Sequence, residues 1–166
     1  MNYFYMDASA MAKRYVPEVG SDLLDLLFDT ISRNRLACWD VGIAEVTSIF
    51  VRQRNDGRIT QERFNQARNQ FRIEVLESND LRILETTLPL ILDALDLISA
   101  HSINGSDAIF LQAAIEVVAE LREDQNDLVV GASDVRLVRA THRENMRAFN
   151  PEQNKTSDLE DLIHAA

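Results

Sequence analysis

Tyr3-Phe4-Tyr5-Met6-Asp7-Ala8-Ser9 decides the fold: four apolar residues in unbroken succession, then an acid, then a small residue and a hydroxyl. An uninterrupted apolar run, rather than an alternating one, marks a strand covered on both faces, as in a parallel sheet. The pattern returns at Leu36–Trp39, closed by Asp40, and at Leu128–Val130, followed after Gly131-Ala132-Ser133 by Asp134. Leu81–Leu84 is weaker and edge-like because Arg82 interrupts it, and Ala148–Phe149 is a short last strand before Asn150-Pro151. Helical stripes lie between these runs. Ser21 stands as an N-cap ahead of Leu23, Leu24, Leu27, Phe28 and Ile31, and Val41–Asn55 carries Ile43, Val46, Ile49 and Phe50 before a Gly57 C-cap. Thr60 caps a stripe of Phe64, Ala67, Phe71 and Val75; Thr87 and Pro89 open a helix to about His101. Asn104-Gly105-Ser106 reads as a turn, Asp107–Leu121 as a strongly apolar helix, and Asp134 to about Asn145 as the next. Strands alternating with helices predict an α/β fold, a three-layer α/β/α sandwich with a mostly parallel central sheet.

Composition agrees. The 166 residues are 46% hydrophobic and 27% charged, which suits one globular domain with a sizeable core. Only 5 glycines and 3 prolines argue against a turn-rich all-β fold, and the single Cys38 excludes an internal disulfide and a cysteine zinc site. No 18-residue apolar run occurs: Leu88–Ala100 is broken by Pro89, Asp93 and Asp96, so no membrane partner is expected. Met1–Asp7 lacks the basic start of a signal peptide, and the expected location is cytoplasmic. A domain over 1–151 would be followed by an acidic C-terminal tail over 152–166, whose Leu159, Leu162 and Ile163 either pack back as a short amphipathic helix or stay loose.

A net charge of −10 argues against sequence-blind nucleic-acid binding. The sign is unevenly spread, however. Arg52, Arg54, Arg58, Arg63, Arg68 and Arg72 stand against Asp56 and Glu62 alone, and Arg136–Arg147 holds four arginines against Glu144. Either cluster reads equally as a solvated helix face.

Parallel sheets bind ligands beyond the carboxyl ends of their strands, so the acids there are the candidates. Asp7, Glu45, Asp107 and Asp134 would be drawn towards one cleft by adjacent strands one, two and four. Carboxylates sharing a cleft require a cation, and a site without a His or Cys cluster suits a hard, oxygen-seeking Mg²⁺ or Mn²⁺. Each acid also has a plainer reading: Asp107 as a first-turn residue favouring the helix dipole, Asp134 as an N-cap, Glu45 as a solvated glutamate. Asp40, directly before Val41, reads as a helix cap outside the site.

These residues resemble the PIN-domain family. Asp7 with Ser9, Ala44-Glu45-Val46, Gly105-Ser106-Asp107-Ala108-Ile109 and Ser133-Asp134-Val135-Arg136-Leu137 match it in order and spacing from about Tyr3 to Pro151. Within the family the chain is similar to the single-domain VapC-like toxins of toxin–antitoxin pairs. The resemblance implies an acidic pocket binding Mg²⁺ or Mn²⁺ and cleaving RNA phosphodiesters, with Asp7, Glu45, Asp107 and Asp134 catalytic and Asp7, Asp107 and Asp134 holding metal. Ser9 and Ser133 would support them; the family often has Thr where Ala132 stands, leaving Ser133 the nearest hydroxyl. Arg52, Arg54, Arg58 and Arg14 are candidates for gripping RNA, Lys13 and Arg14 would flank the pocket one to two turns after Asp7, and a cognate antitoxin and a homodimer are the implied partners. A catalytically weak PIN-like domain that only binds metal, RNA or a partner is the alternative. A phosphatase of the Asp-x-Asp type is disfavoured by Ser9, and a receiver domain by the lack of an isolated phosphoacceptor Asp and of a late strand-end Lys.

Overall fold

The computed structural model describes residues 1–165. Strand β1 (Asn2–Met6) runs into a short helix α1 (Ala8–Met11), a 3₁₀ turn (Ala12–Arg14) and α2 (Ser21–Thr30). Then β2 (Leu36–Trp39) leads to α3 (Asp40–Asn55) and α4 (Gln61–Phe71), which ends in a π-helical turn at Arg72–Leu76. Next, β3 (Arg82–Leu84) precedes α5 (Leu88–Asp93), α6 (Leu95–His101) and α7 (Gly105–Glu123). Finally β4 (Asp127–Gly131), α8 (Val135–Arg143), β5 (Arg147–Phe149) and α9 (Thr156–His164) complete the chain.

The five strands pair in the order β3-β2-β1-β4-β5, all parallel. Successive residues of a strand face opposite sides of its sheet, and this sorts the apolar runs into two cores. Phe4, Met6, Leu36, Cys38 and Val129 join one; Tyr5, Ala37, Trp39, Leu128 and Val130 join the other. The first is closed by α1–α4 and α9, with Leu24, Phe28, Phe50 and Phe71 buried in it. The second is closed by α5–α8, with Phe110 stacked on Tyr5 at a centroid distance of 4.1 Å and Trp39 edge-on to Phe110 at 6.0 Å. The expected three layers are present.

Several boundaries differ from the sequence reading. Ser21 is the first residue of α2 rather than its cap: Gly20, at φ +88°, precedes it, and the Ser21 hydroxyl accepts the Glu18 N–H. The turn at Asn104–Ser106 is instead the start of α7, because the Asn104 side chain accepts the Asp107 N–H and draws Gly105 and Ser106 into the helix. The helix expected over Thr87–His101 breaks into α5 and α6 at Ala94. Gly57 (φ +71°) and the Thr60 cap follow expectation, as does the exposed edge strand β3.

The acidic C-terminal segment packs back. In α9, Leu159 is fully buried and Ile163 nearly so, both in the first core. The helix end is tied down by Asn2 Nδ2 donating to the Leu162 carbonyl (2.7 Å) and by Arg35 donating to the Ile163 carbonyl (3.1 Å).

Candidate functional site

The chain runs outward from the sheet centre through β1, β2 and β3, then returns to β4 on the other side of β1. The switch point therefore lies between β1 and β4, where a crevice opens beyond the strand ends. The Asp7 N–H continues the ladder onto the Gly131 carbonyl (2.8 Å), which places Asp7 on one lip of this crevice and the loop leading to Asp134 on the other. A cavity of about 350 Å³ occupies it. Asp7, Glu45, Asp107 and Asp134 all line it, with Ser9 and Arg52 at the same wall. Four carboxylates from α1's cap, α3, α7 and α8's cap thus meet in one space, as their positions in the sequence suggested.

Asp7 is 9% exposed and is held from one side: the Ser9 N–H (3.0 Å) and the Ser9 hydroxyl both donate to its Oδ2. Ser9 Oγ in turn accepts the Ser133 N–H (3.0 Å), so this serine joins the β1 and β4 ends. Burial pushes the Asp7 carboxyl above its ordinary range; the Ser9 bonds work against this, and the nearby Asp134 charge adds to it. Burial likewise raises Asp107, to about 6, reinforced by Asp7 and Asp134 and opposed by Arg136 and the Asn104 amide. Glu45 is raised by burial and by Asp7 and Asp107, with Arg52 opposing. Asp134 differs. Burial works against its charged form, but the N–H groups of Arg136 (2.7 Å) and Leu137 and the Arg136 guanidinium outweigh it, and its pKa falls. Asp134 is therefore both the N-cap of α8 and a wall of the cavity; the two readings of its position are compatible.

Asp40 stays outside. Its carboxylate accepts the Thr86 N–H (2.9 Å), the Thr86 hydroxyl and the Val41 N–H (2.7 Å), tying β3's exit to the start of α3.

The supporting and basic residues divide. Ser133 contributes its N–H to Ser9, while its own buried hydroxyl has no partner among the described residues. Arg52 lines the acid cavity, and both Arg52 and Arg58 line the cavity beside it. Arg54 borders neither: it lies over the Phe64 ring at 4.5 Å and hydrogen-bonds Asn55. Arg14 also lies elsewhere, which corrects its expected place at the pocket. Its guanidinium is 11% exposed and taken up by Asp25 (2.8 Å), Asp29 (3.1 Å) and Glu74 (3.2 Å). Lys13, expected beside Arg14 at the pocket, does lie next to that pocket: it is 4% exposed and paired with Glu18 and Glu152 in the adjoining cavity.

The donor set of the acid cavity is oxygen only, which fits a hard divalent cation better than zinc or copper. Among the described residues no three such side chains are grouped tightly enough to ligate one ion directly. A cation held there would have to keep several of its own waters and take few protein ligands, as Mg²⁺ does. Burial does most to raise Glu45 and Asp107, and the neighbouring carboxylates add to it; that added repulsion is what a cation would relieve.

No family model matches the sequence, and no curated protein does. Solved structures do match over nearly the whole chain. The crystal structure of PAE2754 from Pyrobaculum aerophilum superposes with a TM-score of 0.63 at 18% identity, covering 98% of each chain. That of FitAcB from Neisseria gonorrhoeae superposes with a TM-score of 0.58 at 15% identity, covering 91% of this chain and 99% of the other. The fold is PIN-like. Among the described residues no helix is long and apolar enough to cross a membrane.

Proposed function

We propose that the chain is a Mg²⁺- or Mn²⁺-dependent endoribonuclease, acting as the toxin of a toxin–antitoxin pair. The observation that carries the reading is the meeting of Asp7, Glu45, Asp107 and Asp134 in one cavity at the switch point of a PIN-like sheet. The order of these four motifs resembles the VapC-like toxins, and the solved structures supply the fold.

A bound divalent cation supplies a water of lowered pKa and neutralises charge on the phosphate oxygens. The residues of the chain do the rest. Asp7, fixed by Ser9, which is itself fixed by the Ser133 N–H, is the best-oriented cation ligand, with Asp107 and Asp134 completing the acidic wall. Glu45 and Asp107 line the same cavity and are the residues placed to orient an attacking water and take up its proton. Arg52, on the rim, offers a planar fork to a phosphate. An antitoxin would block the cavity by inserting a basic side chain among the carboxylates.

Cleavage of a mixed set of labelled RNAs with Mg²⁺, with Mn²⁺ and with EDTA, beside Asp7→Asn, tests this. Cuts that require metal and vanish in the variant are the expected result. Cuts that persist in EDTA, or that Asp7→Asn makes as fast as wild type, would overturn it.

A further inference from the structure

A second cavity of about 260 Å³ adjoins the acid cavity and shares Ser9, Ile49 and Arg52 with it. Its lining is mixed rather than wholly acidic: Lys13, Arg52 and Arg58 stand beside Glu18, Asp56 and Glu152, and neither arginine is in an ion pair among the described residues. Ser133 also lines it, with the buried hydroxyl that has no partner. A trough thus runs from the four carboxylates at one end to a part that also carries Lys13, Arg52 and Arg58, cations of the kind that contact a phosphate next to a cation-bound phosphodiester.

The Lys13 ammonium, though, is not vacant. Its inner contact is Glu18 (3.1 Å), which Gln53 also holds; its outer contact is Glu152 (2.7 Å), whose side chain is 46% exposed. Glu152 arrives from the turn after β5, where Asn150 accepts the Glu152 N–H (2.9 Å) and donates to the Ser133 carbonyl (3.3 Å). Gly20 admits this turn: a Cβ there would lie 2.3 Å from the Pro151 carbonyl oxygen. The protein therefore positions an anionic, solvent-reachable carboxylate on a buried cation beside the acid cavity.

We infer that the second cavity is the subsite for the phosphate flanking the scissile one, and that Glu152 occupies it as a displaceable carboxylate which RNA must push off Lys13. The inference rests on the RNA-cleaving reading of the acid cavity. Glu18 stays with Lys13 when RNA enters, and Arg52 and Arg58 take up the remaining phosphate oxygens.

The test compares wild type, Glu152→Gln, Arg58→Gln and Glu160→Gln. Glu160 is exposed on α9, so its variant changes net charge equally without touching Lys13. Binding of a fluorescent single-stranded RNA is measured in EDTA across a salt series, and cleavage of the same RNA is measured with Mn²⁺. Freeing Lys13 adds about one phosphate contact, so Glu152→Gln should tighten binding roughly three- to tenfold and steepen the log–log salt slope by ~0.7. Arg58→Gln should weaken binding and flatten the slope by a similar amount, and Glu160→Gln should stay close to wild type. Identical effects of Glu152→Gln and Glu160→Gln, or no RNA binding by any variant, would overturn the subsite. Failure of the wild type to cleave, with the binding differences intact, would instead count against the nuclease reading alone.

Discussion

Replacing Asp107 with Asn should make the protein more stable at neutral pH while removing its activity. The carboxyl sits where burial and the charges of Asp7 and Asp134 raise its pKa from 3.8 to about 6. A shift of one pKa unit is worth about 1.36 kcal/mol, so the upper limit of the penalty for holding this group ionised is about 3 kcal/mol. The side chain is only partly buried, and solvent screening reduces that to about 1–2 kcal/mol. Below pH 3.8 both the folded and unfolded states are protonated and the penalty is absent. It grows as pH rises from 3.8 to about 6 and is complete above that. Asn carries no such cost and still accepts from the Asn104 amide, which reaches Asp107 Oδ2 at 2.8 Å. Urea and thermal unfolding near neutral pH should therefore show Asp107→Asn ahead of wild type by about 1–2 kcal/mol, or about 2–8 °C in Tm. Near pH 4 the gap should nearly close, and added Mg²⁺ should narrow it at neutral pH by stabilising wild type alone. A variant no more stable than wild type near neutral pH, or one whose advantage is the same near pH 4, would refute the reasoning.

Three further outcomes follow from the packing. Asp40→Asn should leave metal-dependent cleavage within about twofold of wild type but cost about 1 kcal/mol in urea unfolding, because it weakens the bonds from Thr86 and Val41. The bonds hold the Asp40 carboxyl below its ordinary range against the cost of burial, so the wild-type advantage is present above that range and should fade as pH falls through it. Gly20→Ala should cost about 2 kcal/mol or more by chemical denaturation, since φ +88° and a Pro151 oxygen 2.3 Å from the new Cβ both oppose it. Leu159→Ala, at a fully buried position, should cost about 2–5 kcal/mol, whereas an undocked tail would lose nothing measurable.

What the sequence made legible was set by how local each signal was. The strands β1, β2 and β4 were readable because continuous apolar runs can serve two cores at once, and the residues do divide between the two faces. Asp7 was readable because it directly follows a strand, Asp107 and Asp134 because they open helices, and Glu45 because it lies about a turn into the helix after β2; strand order then brings them together. Arg14 was misplaced because its partners Asp25, Asp29 and Glu74 lie up to 60 residues away, on α2 and the turn after α4. The break at Ala94 has neither Gly nor Pro to announce it; Ala94 is 1% exposed, and packing decides it. The stripe of Leu159, Leu162 and Ile163 was visible, but docking depends on Asn2 and Arg35, over a hundred residues distant in sequence. The capping of α7 by Asn104 was legible in principle, since Asn accepts a helical N–H three residues on, and it was passed over in favour of a turn.

Divalent-cation binding in the acid cavity, with Asp7, Asp107 and Asp134 as its ligands, is tested most directly by Mn²⁺ titration followed by calorimetry, without any need to know the RNA target. Wild type should bind Mn²⁺ with release of protons near pH 6, where Asp107 is half protonated, and Asp7→Asn should bind it at least tenfold more weakly while remaining folded. Equal Mn²⁺ binding by the two proteins, or none by the folded wild type, would contradict the account.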